Sequence, residues 1–92
     1  MLPVIWAEEA DDDLNEITAY IGQFNIAAAT RLWHVIVESV EFLPEHPYMY
    51  RQSERVPGCR EIVAHPNYIV VYRVGLNHIE ILRVLHARQE YP

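Results

Sequence analysis

The side chains best suited to chemistry lie in the second half of the chain: Arg60, Arg73, Arg83, His86, Arg88 and Tyr91. A histidine with arginines and a tyrosine nearby has the parts for breaking a phosphodiester bond. One group must take the proton from a 2′-hydroxyl, cations must hold the crowded phosphate, and an acid must protonate the leaving oxygen. Arg60, Arg83, His86 and Tyr91 are the candidates for those catalytic roles. Several features weigh against them. The chain has no lysine, so all seven bases are arginine, and a net charge of −6 disfavours a polyanionic substrate. His86 also reads as a hydrogen-bonded structural residue. Arg60 is expected to pair with a carboxylate, near Glu61 or on a partner. Arg83 interrupts an apolar strand, and an arginine there needs a partner of its own.

Other chemistry is less well provided for. The histidines His34, His46, His65, His78 and His86 include no helical i, i+4 pair and no cysteine at zinc spacing, so no metal site is expected. Cys59 is the sole cysteine, and no base beside it marks it as a nucleophile. Nothing calls for a cofactor. Tyr48-Met49-Tyr50 offers a contact surface or, in the favoured reading, packs onto the preceding helix.

These side chains must be placed by a small fold. Pro3-Val4-Ile5-Trp6 reads as a strand. Ala10, Leu14, Ile17 and Ile21 recur at helical spacing, behind a run of acids that suits a helix N-terminus. Gly22 is a candidate stop signal, with an end at Phe24 as the alternative, and Asn25 is an N-cap for the next helix. Ala29, Leu32, Ile36, Val40 and Leu43 mark the buried face of a second helix that Pro44 ends. Residues 44–57 hold three prolines and read as a loop. Extended segments follow at Arg60 to Ala64, Tyr68 to Val74 and Ile79 to Leu85, separated by His65-Pro66-Asn67 and Gly75-Leu76-Asn77. The order is β-α-α-β-β-β, an α+β fold with a two-helix antiparallel hairpin packed on a mainly antiparallel sheet.

Ninety-two residues, 51% hydrophobic and 22% charged, make a single globular domain spanning 1–92. No stretch approaches the roughly 18 apolar residues of a membrane span, and the acidic N-terminus does not resemble a signal peptide. A cytoplasmic location without membrane contact is expected. Charge is uneven. Residues 1–46 carry nine acids against Arg31 alone, and residues 47–92 carry six arginines against four acids. The second half is therefore the expected cationic face for an acidic partner. Two short helices cover one side of a sheet, yet the strands are apolar on both. Tyr68, Val70, Tyr72 and Val74 oppose Ile69 and Val71; Ile79, Ile81 and Leu85 oppose Leu82 and Val84. A second polypeptide is expected to cover the remaining face, with a neighbouring loop or a second copy of the chain as the alternative.

The motifs form an ordered set. An acidic Ala-x3-Leu helix is followed by Leu43-Pro44-x2-Pro47 and Val56-Pro57-Gly58-x-Arg60-Glu61. Then come Tyr68-x-Val70-x-Tyr72-Arg73-Val74 and Val84-Leu85-His86-Ala87-Arg88-Gln89. Over essentially its whole length the chain resembles ParE/RelE-superfamily toxins, nearer the ParE branch. The resemblance implies a toxin neutralised by a cognate antitoxin. ParE toxins poison DNA gyrase; the RelE alternative is an endoribonuclease that cuts messenger RNA on the ribosome. Binding without chemistry is the favoured reading, and no sequence-specific DNA contact is expected. Arg60, Arg73, Arg83, His86 and Arg88 are the expected target-binding residues. Tyr68, Val70, Tyr72, Leu82 and Val84 are the expected antitoxin-binding set.

Overall fold

The computed structural model describes residues 1–89. Along the chain run β1 (Val4–Trp6), α1 (Glu8–Gly22), α2 (Ile26–Glu38), β2 (Arg60–His65), β3 (Tyr68–Val74) and β4 (Ile79–His86). The strands form one sheet in the order β1-β4-β3-β2, with β1 parallel to β4 and the other pairs antiparallel.

Local chemistry explains the helices. Glu8, Glu9 and Asp11 occupy the first turn of α1, where unpaired N–H groups favour negative charge. Ala10 and Leu14 are buried, with Ile17 and Ile21 against the same core. Asn25 caps α2: its Oδ1 accepts the Ala28 N–H at 3.0 Å. Asn25→Ala is expected to cost about 1 kcal/mol, read as a lower urea midpoint with an unchanged slope.

The second helix stops at Glu38, short of the expected Leu43. Ser39 donates its hydroxyl to Ile36 O at 2.6 Å, and tight turns follow, with Glu41 N–H on Glu38 O and Leu43 N–H on Val40 O. Pro44 disfavours a helical Leu43, so the last turns tighten instead of continuing. Val40 and Leu43 are nevertheless fully buried. The apolar spacing located the core correctly and misjudged the backbone.

Strand β4 carries a bulge. Tyr72 faces Ile81 and Val71 faces Arg83, which leaves Leu82 without an opposite residue. One extra residue exchanges the two faces of everything beyond it. Val84 therefore joins Ile79 and Ile81 beneath the helices, and Leu85 crosses to Ile69 and Val71. Both assignments reverse those read from simple alternation.

The centre of the second face is also already covered. Cys59, Ile69, Val71 and Leu85 are each at most 5% exposed, with Val56 and Leu82 packed against them. Val56 and Cys59 belong to the long connection before β2, which folds back over the sheet. The expectation that another polypeptide must supply this cover is thereby overturned. A loop of Pro and polar residues shows no periodicity that would reveal it as a lid on the core.

Candidate functional site

Beyond Trp6 the chain leaves the sheet, and Ala7 N–H closes on Ile81 O at 2.8 Å. Past that point β4 has no strand on its outer side. Asp13 of α1 takes the vacant place. Its Oδ2 accepts the Val84 backbone N–H at 2.9 Å and Arg83 Nε at 2.7 Å, and its Oδ1 accepts Arg83 Nη2 at 3.0 Å. Glu9 lies 3.8 Å from the same guanidinium. A bidentate fork of this kind is strong and directional. One carboxylate thus seals the sheet edge and neutralises Arg83. One residue pair further on, the His86 N–H donates to Gln89 Oε1 at 3.3 Å.

Beside this plug lies a cleft of about 380 Å³ lined by Asp13, Glu16, Tyr20, Tyr68, Arg83 and His86, among others. The His86 ring meets Tyr68 edge-on at 5.5 Å, and its Nδ1 accepts the Arg88 N–H at 3.1 Å. That bond places the proton of the neutral ring on Nε2. Arg88 is exposed, and its guanidinium has no ionic partner among the described residues.

The remaining arginines stand elsewhere. Arg60 Nη1 donates to Tyr50 O at 2.7 Å, and its guanidinium lies 5.1 Å from the centroid of the Tyr48 ring. It thus holds backbone carbonyls and a ring, not the expected carboxylate. Arg73 pairs with Glu80 at 2.9 Å. Arg60 and His86 lie two strands and four residue steps apart in the sheet register, a Cα separation of roughly 16 Å from strand geometry. The structure therefore brings Arg83, His86 and Arg88 to one end of β4 and keeps Arg60 and Arg73 away from them. Tyr91 lies outside the described residues.

A second cluster was not anticipated. Glu61 is 3% exposed and points to the face opposite the helices. Arg51 Nη2 reaches its Oε1 at 3.1 Å, Arg55 Nη1 its Oε2 at 3.1 Å, and Ser53 Oγ donates to Oε2 at 2.7 Å. Arg55 also donates to Ala87 O and, through Nε, to Gln89 O at 3.2 Å. The clamp ties loop, β2 and the segment after β4 together. Burial pushes the Glu61 carboxyl up, but bonds from Ser53 and Arg55, the Arg55 charge and the Arg51 bond outweigh it and hold the pKa below the usual 4.5.

Neighbouring groups are equally settled. Tyr72 is fully buried, gives its OH to Pro47 O at 2.7 Å, and is pushed by burial to a pKa of about 12. Burial likewise raises the Cys59 thiol, partly offset by Arg73 and reinforced by Glu80, so the thiol stays protonated at neutral pH. Tyr48 and Met49 point to solvent, and only Tyr50 turns inward, with its ring edge-on to Tyr72 at 6.3 Å. That corrects the expectation that the three pack on α2.

The expected antitoxin-binding set divides. Val70, Tyr72 and Val84 are at most 2% exposed, beneath the helices, and no docking chain reaches them in this conformation. Tyr68 is half-buried in the cleft, and Leu82 sits at the edge of the second face. The bulge and the helices' choice of face are the physical reasons. Sequence reasoning also missed Asp13 and Glu61. Asp13 was hidden in the run of acids at the start of α1, although the demand of Arg83 for a counter-charge was a legible signal.

Comparison with known proteins fits this architecture. The profile of a family described as the ParE toxin of the type II toxin–antitoxin system, parDE, matches residues 4–91. Toxin RelE2 of Caulobacter vibrioides is 34% identical over 87 residues, covering 95% of this chain and 97% of its own. The Y4kP chain of Sinorhizobium fredii is 39% identical over 88 residues, covering 95% and 90%. A chain from the chromosomal ParDE system of P. aeruginosa superposes with a TM-score of 0.83 at 25% identity, covering 94% of this chain and 96% of that one. Two helices on a mainly antiparallel sheet, in this order, define a toxin fold of the ParE/RelE class. The chain belongs to the ParE toxin family of type II toxin–antitoxin systems. No helix among the described residues is long and apolar enough to cross a membrane.

Proposed function

We propose that this toxin acts by binding DNA gyrase, without bond-breaking chemistry of its own, and is neutralised by a cognate antitoxin. One observation carries the reading: the arginines that a phosphate-cleaving centre would need are committed elsewhere. Arg83 is neutralised by Asp13 through two hydrogen bonds of 2.7 and 3.0 Å. Arg60 secures a loop at a distance from His86. What the end of β4 offers instead is an exposed contact surface, with Arg88 outermost and the His86 ring behind it. Arg83 supports that surface from beneath, and Arg60 and Arg73 contribute to it only by holding the sheet.

The test is to run gyrase supercoiling and ribosome-dependent messenger RNA cleavage side by side with the purified toxin. Gyrase inhibition without cleavage is the expected result. Arg88→Ala should weaken inhibition by about tenfold, the size of one exposed anchoring contact, with unchanged circular dichroism. Messenger RNA cleavage that His86→Ala abolishes, with gyrase unaffected, would instead establish the endoribonuclease reading.

A further inference from the structure

Where α2 passes the edge strand β2, a cavity of about 340 Å³ opens that none of the contacts above explains. Ala28, Arg31, Leu32, Val35 and His65 line it. The four helical residues are three and four positions apart and so share one stripe of α2. Ala28, Leu32 and Val35 give it an apolar floor, and Val35 is still 40% exposed. Two polar groups border that floor. Arg31, the only arginine of the two helices, is exposed and has no hydrogen-bonding or ionic partner among the described residues. His65 ends β2. Its Nδ1 accepts the Asn67 N–H at 3.0 Å, and its ring centre lies 5.8 Å from that of Tyr68. The proton of the neutral ring is therefore on Nε2. That atom has no partner, and no unpartnered side-chain nitrogen among the described residues is buried, so the Nε2–H reaches solvent. Tyr68 stands between His65 and His86 in the sheet register, which separates this cavity from the cleft at the end of β4.

We infer that this cavity is an anion site, which takes one carboxylate on a short apolar stem, from a free small acid or from an acidic side chain of a protein.

The lining sets the ligand class. A guanidinium and an imidazole N–H are both donors, and no acid lines the cavity to compete for them. The positive end of α2 adds to the same field, since Ala28 belongs to its first turn and that turn holds no acid. One cation matches one negative charge. A polyanion such as nucleic acid would instead meet a chain of net charge −6. A neutral apolar ligand would cover Arg31 without giving it a counter-charge. The stem follows from the floor, where Leu32 and Val35 offer aliphatic contact beside the charge.

NMR titration of the intact chain, read at the Leu32 and Val35 methyl groups and the His65 ring, tests the site. The probes are hexanoate and its neutral counterpart hexanamide, and a capped tripeptide with glutamate between leucines and its glutamine counterpart. At least one acid should give a saturable shift with a dissociation constant on the order of 1 mM, the scale open to so small a ligand. Its neutral counterpart should bind about tenfold more weakly, and added salt should reduce the difference. Arg31→Gln should cost about tenfold, and Arg31→Lys less, because the charge remains and the fork is lost. His65→Asn keeps an acceptor for the Asn67 N–H and removes the Nε2–H, at a loss of about threefold. Binding by hexanoate assigns the site to a free acid, and binding by the peptide alone assigns it to a protein side chain. No saturable shift with either acid, equal binding of acid and neutral counterpart, or undiminished binding to a folded Arg31→Gln chain would overturn the inference. No gyrase enters the measurement, so its failure and the failure of the target assay are separate results.

Discussion

Glu61→Ala is expected to lower stability by roughly 3 kcal/mol, the lower end of the range for breaking a buried ion pair. The lower end applies because Arg51 and Arg55 keep 64% and 27% of their side chains in contact with solvent, whereas Glu61 keeps 2%. The loss is larger than a surface pair would give because the clamp also holds the loop over Ile69, Val71 and Leu85. Glu61→Gln keeps an acceptor for Ser53 and should cost about half as much. Urea unfolding at neutral pH measures both. Acid gives an independent check. A carboxyl with a lowered folded pKa stabilises fully above its unfolded value of 4.5 and loses that contribution as pH falls through the folded value. The stability gap between the native chain and Glu61→Gln should therefore narrow from about pH 5 downward. A gap that is constant from neutral pH to well below that value would show that the carboxylate charge is not what closes the lid.

The Asp13 plug should yield the second large effect. Asp13→Ala removes two bonds to Arg83 and leaves the Val84 N–H without its acceptor, at a cost of about 2–3 kcal/mol. Asp13→Asn preserves an acceptor for that N–H and should fall between the two. The pair Asp13→Ala with Arg83→Leu should recover part of the loss, since no guanidinium is then left without the fork that Asp13 supplied. Activity separates two roles for Arg83. If it supports the contact surface from beneath, Asp13→Ala and Arg83→Ala weaken gyrase inhibition to a similar degree. If Arg83 touches the target itself, releasing it from Asp13 by Asp13→Ala leaves inhibition intact or raises it.

How far the sequence could be read depends on the range of each interaction. Strand β3, bounded by turn residues and composed of β-branched and aromatic side chains, was legible to the residue. So was the cap at Asn25, which depends on a bond spanning three positions. The bulge at Leu82 was not, because it exists only as a mismatch between two strands. Neither was the lid, whose closure depends on Glu61 meeting residues from a segment with no periodic pattern. At the candidate site, His86 and Arg88 were legible as polar residues closing an apolar strand. The link from Arg83 to Asp13 spans 70 positions, and only the need for a partner could be deduced. The charge split between the halves was plain to see, but its meaning shifted. Most arginines of the second half are consumed internally, and the acids of the first half are concentrated on α1.

Strand β4 is the last strand among the described residues, and it occupies an interior place in the sheet, between β1 and β3. While the ribosome is still adding residues, β1 has no neighbour to join and Asp13 has nothing to plug. Contacts of such long sequence separation form late and slowly. Synthesis at about 5–20 residues per second should therefore leave a nascent chain without its joined sheet until Ile79–His86 has emerged. A polypeptide cut short before Ile79 would lack the strand that unites the sheet. Truncated products of the gene should accordingly be cleared by proteases without ever poisoning their host.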